Sequence, residues 1–186
     1  MCRRFAHRPD PILLAENDTM AIKSIEDLFL HELSDIYSAE KQLTRALPKL
    51  ARAASAQALA QAFESHLEET HGQVERIDRI VERLDIKLKR VKCSVMEGLV
   101  DDGREIVDAI AKGPLRDAAL IGAAQKVEHY EIAAYGTLAA LARQIGYDDA
   151  LPLILDTLEE EKNADKKLSG IAEQGGGNER AEKAGP

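Results

Sequence analysis

The sequence lacks tryptophan, and aromatic residues of all kinds make up only 4% of its 186 residues. Glycine and proline are also scarce, with 12 and 6 residues. Strands favour aromatic and β-branched residues, whereas alanine, which is abundant here, is the best helix former. These absences exclude an all-β fold and disfavour a mixed α/β fold.

The sequence also lacks the features of secreted, membrane-spanning and nucleic-acid-binding proteins. Cys2 and Cys93 are too few for a disulfide framework and suit a reducing compartment. No apolar run approaches the ~20 residues that span a bilayer. The 33 acidic residues outnumber the 25 basic ones, which leaves no basic surplus for a phosphate backbone. We therefore expect a cytoplasmic protein that binds neither membranes nor nucleic acid.

The two ends of the chain differ from the rest. Residues 1–20 contain two prolines and an arginine pair and show no helical pattern. The last residues include three consecutive glycines, Gly175 to Gly177. We predict a disordered N-terminal extension over 1–20, one helical domain over 21–173 and a flexible tail over 174–186.

Apolar residues between the two ends recur at alternating steps of three and four, which is the pattern of amphipathic helices that pack side by side. Four segments show this pattern. They run from Phe29 to Ala54, from Phe63 to Leu88, from Leu120 to Ile145 and from Leu151 to Ala172. The sequence therefore predicts an all-α four-helix bundle.

The connections between these segments predict the topology. Short turns at 54–56 and 146–149 make two antiparallel hairpins. The connection from Asp85 to Pro114 is much longer and contains a short amphipathic segment, 95–110. Two hairpins joined by a long crossover are typical of ferritin-like bundles.

Polar residues interrupt the four apolar stripes near the middle of the helices. Glu40 and Glu68 lie about equally far from the first turn, and Glu131 and Glu161 lie equally far from the second. A carboxylate in a bundle core costs several kcal/mol unless it is paired or bound to a metal ion. We therefore predict one polar layer that crosses the core. Its residues are Glu40, Glu68, His71, Glu128, Glu131, Glu161 and Asp165.

The predicted polar layer has the composition of a metal site. Glu68-x-x-His71 places a carboxylate and an imidazole one helical turn apart, and Glu128-x-x-Glu131 repeats that spacing. Carboxylates with an imidazole suit iron or manganese, so the expected cofactor is two metal ions, iron before manganese. Glu68 and Glu131 are the expected bridging ligands and His71 a terminal ligand.

The remaining members of the layer have less defined roles. Glu40 and Glu161 are expected as terminal or bridging ligands. Asp165 is either a ligand or a neighbour of the ligands, because its side chain is one methylene shorter than that of glutamate.

Other polar residues are expected outside the predicted site. His31, His66 and His129 lie off the apolar stripes and are expected at the surface. Three tyrosines flank the layer and either pack or donate hydrogen bonds to the carboxylates. They are Tyr37, Tyr130 and Tyr135. Cys93 is expected to be a small buried residue rather than a redox thiol.

Several blocks of the sequence resemble the YciE/YciF family of bacterial stress-induced ferritin-like proteins. The blocks are Ile25-Glu26-Asp27-Leu28-Phe29, Ala39-Glu40-Lys41-Gln42-Leu43, His66-Leu67-Glu68-Glu69-Thr70, Val127-Glu128-His129-Tyr130-Glu131 and Glu159-Glu160-Glu161-Lys162. The resemblance implies a ferritin-like homodimer with a dinuclear iron-type centre and a role in stress. Rubrerythrins, whose third helix is similar, carry a Glu-x-x-His in the fourth helix, and this chain has none there.

The sequence leaves more than one function open. The first is the handling of peroxide, dioxygen or ferrous iron at the dinuclear centre, with oxidase or peroxidase activity undecided. The second is a non-catalytic structural or interaction dimer whose metal site is vestigial or serves only stability. The third is a ferritin-type storage cage.

Overall fold

The computed structural model describes residues 22–173, which form five helices. The extension predicted over 1–20 and the tail predicted over 174–186 lie outside the described residues. The helices are α1 (Ile25–Ala53), α2 (Gln57–Leu84), α3 (Ser94–Ala109), α4 (Pro114–Ile145) and α5 (Leu151–Glu173). The described part of the chain contains no strand, so the prediction of an all-α fold is confirmed.

Four of the helices form the predicted bundle. α1 packs against α2 and α4, and α5 packs against the same two helices. The turn between α1 and α2 is three residues long, and Gly146 ends α4 with a φ of 84°, a left-handed conformation that favours glycine. Within residues 22–173 no helix is long and apolar enough to cross a membrane.

Two contacts show that α2 and α4 run in the same direction. The carboxylate of Asp117, at the start of α4, accepts hydrogen bonds from the backbone N–H groups of Ser55 and Ala56, both at 2.7 Å. Arg83, at the end of α2, donates to the carbonyl oxygen of Asp149 at 3.1 Å. The chain must therefore cross the whole length of the bundle between α2 and α4, as the long connection predicted.

The crossover is fixed to one face of α1. Ser34 and Ser38 accept hydrogen bonds from the backbone N–H groups of Lys89 and Cys93, both at 3.0 Å. Gln42 donates to the carbonyl oxygen of Cys93, also at 3.0 Å. These three side chains of α1 are spaced by four residues, so they form a row on which the extended part of the crossover lies. α3 follows and packs against α1 and α4.

Asp117 is the structural residue with the clearest testable effect. It is buried, and it provides acceptors for two backbone N–H groups at the α1–α2 turn, where α2 has no side-chain cap of its own. Asp117→Ala leaves both donors without partners and is expected to lower the free energy of unfolding by about 2–4 kcal/mol. Denaturant unfolding measures this change. Asp108→Ala, at an exposed position of α3, is the matched control and is expected to change stability little. Equal effects of the two substitutions would contradict this role.

Candidate metal centre

The centre of the bundle contains five charged or titratable side chains from four helices, all buried. This central cluster consists of Glu40 from α1, His66 from α2, Glu128 and Glu131 from α4, and Glu161 from α5. Single ligand atoms of His66, Glu128, Glu131 and Glu161 all lie within 4.8 Å of one another. Glu40 adjoins them, since the charges of Glu161 and His66 both act on its carboxyl group.

Helical spacing brings these side chains to one level. On α1, Glu40 takes one place in a row of buried residues that includes Ile36 and Leu43. On α4, Glu128 and Glu131 lie one turn apart and so point in nearly the same direction. The buried positions one turn away are of both kinds: Ala124 precedes Glu128 on α4, whereas Thr70 follows His66 on α2 and Thr157 precedes Glu161 on α5.

Neighbouring side chains hold the outer atom of three cluster residues. Tyr135 Oη donates a hydrogen bond to Glu40 Oε1, and Gln73 Nε2 donates one to Glu161 Oε1. Glu69 Oε2 lies 3.3 Å from His66 Nδ1. Burial acts to lower the pKa of His66, but the hydrogen bond with Glu69 and the charges of Glu161 and Glu40 outweigh it and raise that pKa. In the neutral ring, the carboxylate of Glu69 holds the proton on Nδ1 and leaves Nε2 as the lone-pair atom. In each case the remaining atom of the cluster residue is free to face the centre.

Within the described part of the chain, the inward atoms of the cluster face one another without a hydrogen-bond partner. Among the described residues, six such buried atoms have no hydrogen-bond partner. They are Glu40 Oε2, His66 Nε2, Glu128 Oε2, Glu131 Oε1, Glu131 Oε2 and Glu161 Oε2. His66 Nε2 lies 3.5 Å from Glu128 Oε2 and 3.8 Å from Glu161 Oε2. Buried polar atoms are rarely left unpaired, and once the carboxyls are ionised this convergence of lone pairs fits a cation.

The pKa values of the cluster show the cost of this arrangement without a cation. Burial raises the pKa of Glu40 from 4.5 to about 8, and the charge of Glu161 adds to the effect. Burial likewise raises the pKa of Glu128 to about 8. It raises the pKa of Glu131 and of Glu161 well above the ordinary value, with repulsion between neighbouring carboxylates contributing. Bound cations would remove this repulsion and release the protons.

The donor set of the cluster fits two divalent ions. Four carboxylates carry four negative charges when ionised, which balance two divalent cations. Oxygen donors with one imidazole are the ligands that iron and manganese accept. The residues present therefore fit the metal centre that the sequence predicts.

The structure brings together four of the seven residues predicted for the polar layer: Glu40, Glu128, Glu131 and Glu161. Their role as ligands stays a prediction. Asp165 is half-buried beside the cluster rather than in it. Its Oδ1 accepts a hydrogen bond from Gln125 Nε2 at 3.2 Å and lies 3.6 Å from His129 Nε2.

Glu68 and His71 are exposed on the outer side of α2, so the prediction that they face the core is wrong. Two rows on α2 satisfy the alternation of three and four. The sequence favours the row through Leu67 and Val81, whereas the buried row passes through Phe63, His66, Thr70, Gln73, Ile77 and Ile80. Glu68 and His71 lie off this buried row, because each residue turns a helix by about 100°.

His66 is the cluster residue that the sequence prediction missed. It is expected at the surface but is buried, whereas His129 is exposed as expected. The sequence contains one indication of its place: His66, Thr70 and Gln73 are three polar residues at steps of four and three, as a polar row through a bundle core requires. Tyr135 also takes the second of its two expected roles, since it donates a hydrogen bond to a carboxylate.

Comparisons with known proteins agree on one family. A family profile described as a domain of unknown function, DUF892, matches residues 24–182. Protein YciF from Escherichia coli strain K12 is 62% identical over 154 residues, which cover 82% of this chain and 93% of that protein. A crystal structure described as that of the E. coli stress protein YciF superposes with a TM-score of 0.81 at 59% identity, covering 84% of this chain and 99% of that one.

Two further solved structures are similar. YcfI from Rhodopseudomonas palustris, whose description proposes a structural role, has a TM-score of 0.78 at 45% identity and covers 81% of this chain and 96% of that one. A protein from Xanthomonas campestris has a TM-score of 0.64 at 22% identity and covers 81% of this chain and 92% of that one. The last likeness concerns the fold alone.

The raised pKa values predict an unusual pH dependence of stability for the metal-free protein. Between about pH 5 and pH 8, Glu40 and Glu128 keep their protons in the folded chain while the unfolded chain has released them. Raising the pH therefore favours unfolding, by up to about 1.4 kcal/mol per pH unit for each such carboxyl. Denaturant unfolding of chelator-treated protein across this range measures the slope.

Two variants distinguish the contribution of the cluster carboxyls to the pH dependence from that of surface carboxyls. Glu128→Gln removes one of the carboxyls whose pKa is raised and is expected to reduce the slope. Glu68→Gln, at an exposed position of α2, is expected to leave it unchanged. A stability that stays constant or rises between pH 5 and pH 8 in the chelated wild-type protein would show that the cluster carboxyls titrate normally.

Proposed function

The chain belongs to the DUF892 family, and we propose that it is a ferritin-like metalloprotein with a dinuclear iron-type centre. In this proposal the centre reacts with peroxide, dioxygen or ferrous iron, and the role is linked to stress. The observation that carries the proposal is the convergence of six buried side-chain atoms, five carboxyl oxygens and one imidazole nitrogen, that have no hydrogen-bond partner among the described residues. The link to stress rests on the relative from E. coli, which is described as a stress protein.

The cluster residues would divide the coordination of two ions. Glu131 is the best bridging candidate, because both of its oxygens are buried and unpaired within the described chain. His66 would bind through Nε2 as a terminal ligand. Glu40 and Glu161 would each offer the oxygen that Tyr135 and Gln73 leave free. Manganese remains the second choice of metal, since it accepts the same donors.

Bound ferrous ions would supply two electrons, which with two protons reduce hydrogen peroxide to two water molecules. The chain itself would keep the site dry and its ligands in place. Tyr135 Oη holds a proton against Glu40 Oε1 at full burial. Gln73 also donates to Glu160, at 3.2 Å, and Glu160 is held by Arg76 at 2.6 and 2.8 Å. This network links the position of Glu161 to the packing of α2 against α5.

A structural role is the second candidate, and the description of YcfI from R. palustris favours it. In that case the metal ions only stabilise the bundle. The two candidates differ in turnover. A dinuclear oxidase or peroxidase consumes ferrous iron or peroxide repeatedly, whereas a structural protein shows only a melting temperature that falls on chelation.

The family resemblance implies a homodimer, and this oligomeric state stays a prediction. A sizing column separates a dimer from the many-subunit assembly of a storage cage. Elution as a large assembly would favour the storage function over both of the others.

Metal analysis of two matched pairs of variants tests the centre. Wild-type protein purified without chelators is expected to hold about two iron-type ions per chain, and His66→Ala and Glu131→Gln are expected to lose most of them. The controls are His71→Ala and Glu68→Gln, which make the same changes at exposed positions of α2 and are expected to retain the metal. Near-zero metal in the wild type, or equal metal in the wild type and His66→Ala, would contradict the proposal.

A further prediction concerns Glu69, which holds the ring of His66. Glu69→Gln removes the charge that fixes the proton on Nδ1, and carboxylate partners of this kind are worth about 10–100-fold in metal affinity. Competition with a chromogenic chelator measures the affinity. Glu64→Gln, one turn earlier at an exposed position of the same helix, is the control. An unchanged affinity in Glu69→Gln would show that the orientation of His66 does not depend on this contact.

A further inference from the structure

A cavity of about 160 Å³ lies beside the central cluster, between α2, α4 and α5. Exposed residues of α5, Asn163 and Lys167, line its outer part, so the cavity reaches the surface. His66 and Glu128 line its inner end. It therefore connects the surface to the buried cluster.

The inner end of the cavity presents two unpaired atoms. Glu128 is 3% exposed and His66 is 5% exposed, and within the described residues neither Glu128 Oε2 nor His66 Nε2 has a hydrogen-bond partner. A molecule that fills the cavity thus meets two side chains that the centre would use as ligands. The other cluster residues do not line the cavity.

The walls between the mouth and the inner end are apolar. They consist of Ala62 and Phe63 from α2 and Ala164 and Leu168 from α5, all buried. A hydrated ferrous ion would have to give up its water against these side chains, at a large cost. Lys167 places a positive charge at the mouth, which opposes the entry of cations, whereas the carboxylate of Glu69 lies against His66 Nδ1. An uncharged molecule avoids the desolvation of an ion and is not repelled by the charge of Lys167.

The volume suits a small molecule. A cavity of about 150 Å³ in another protein holds benzene, and one water molecule takes about 30 Å³ in the liquid. The cavity therefore has room for dioxygen or hydrogen peroxide together with water, and its apolar walls exclude ions better than they exclude neutral molecules.

We propose that this cavity is the access route and binding site for a small uncharged oxidant, dioxygen or hydrogen peroxide, and that ferrous iron does not use it. The inference rests on the proposed function and names the substrate class of that site. In this inference the oxidant reaches the centre through the cavity between α2 and α5, whereas the metal ions enter by another route.

Filling the cavity tests this inference. Ala164→Leu adds a side chain to the wall without changing a cluster residue, and Ala62→Leu does the same from the opposite wall in case the first variant fails to fold. Ala140→Leu, at an exposed position of α4, is the control. Both cavity variants are expected to bind metal as the wild type does and to consume dioxygen and hydrogen peroxide several-fold more slowly. Measuring the two oxidants separately shows which of them uses the cavity.

Xenon provides a readout that does not depend on metal. In crystals of metal-free wild-type protein under xenon pressure, a xenon peak is expected between Phe63 and Leu168, and Ala164→Leu is expected to abolish it. An empty cavity in the wild type, or a cavity variant that binds metal normally and reacts at the wild-type rate with both oxidants, would overturn the inference and leave the proposed function standing. Slower uptake of ferrous iron in the cavity variants would overturn it as well. A wild-type protein that binds no metal would overturn the proposed function itself, and this inference with it.

Discussion

The concentration of four carboxylates around one buried point is the constraint on which the rest of this structure depends. Each of them costs several kcal/mol to remove from water as a charge, and their mutual repulsion increases that cost. Two changes lower this cost. The carboxyls can be protonated, as the raised pKa values of Glu40 and Glu128 indicate, or cations can neutralise their charge. A core of apolar residues would have been more stable, so the arrangement points to binding rather than to stability.

Hydrogen bonds to the outer atoms of three cluster residues orient their side chains toward the centre. Tyr135, Gln73 and Glu69 each occupy one atom of a cluster residue, so that the other atom faces the centre. None of the three needs to touch a metal ion to matter, because a ligand that is free to rotate loses affinity through its own conformational entropy. The contacts that pack the helices together are thus also the contacts that orient the cluster residues. A helix that shifted along its axis would disrupt the packing and the orientation at once.

Much of the fold could be predicted from the sequence, because helix periods, short turns and a long crossover are local patterns. The prediction of which polar residues face the core is correct on α1 and α4 and wrong on α2. There, Leu67 is apolar and His66 is not, so local preference selects the wrong one of two rows that satisfy the same spacing. The same ambiguity on α5 favours Asp165 over Ala164. Packing against the other helices decides between such rows, and that information lies far away in the sequence. The contacts of Asp117 with the first turn have no periodic pattern and could not be predicted.

The correction on α2 changes the chemistry as well as the residue. A Glu-x-x-His pair would have placed both a carboxylate and an imidazole in the centre, whereas His66-x-x-Glu69 places the imidazole inside and uses the carboxylate to orient it. The centre therefore has two unlike sides. His66 and Glu128 lie where the cavity ends, while Glu40, held by Tyr135, lies away from it. A metal ion held by His66 and Glu128 would lie where the cavity ends, whereas one held by Glu40 would lie away from the cavity. The donors on the two sides differ accordingly, with an imidazole and a carboxylate at the end of the cavity and carboxylates away from it, so the two sides would offer their ions unlike ligand sets.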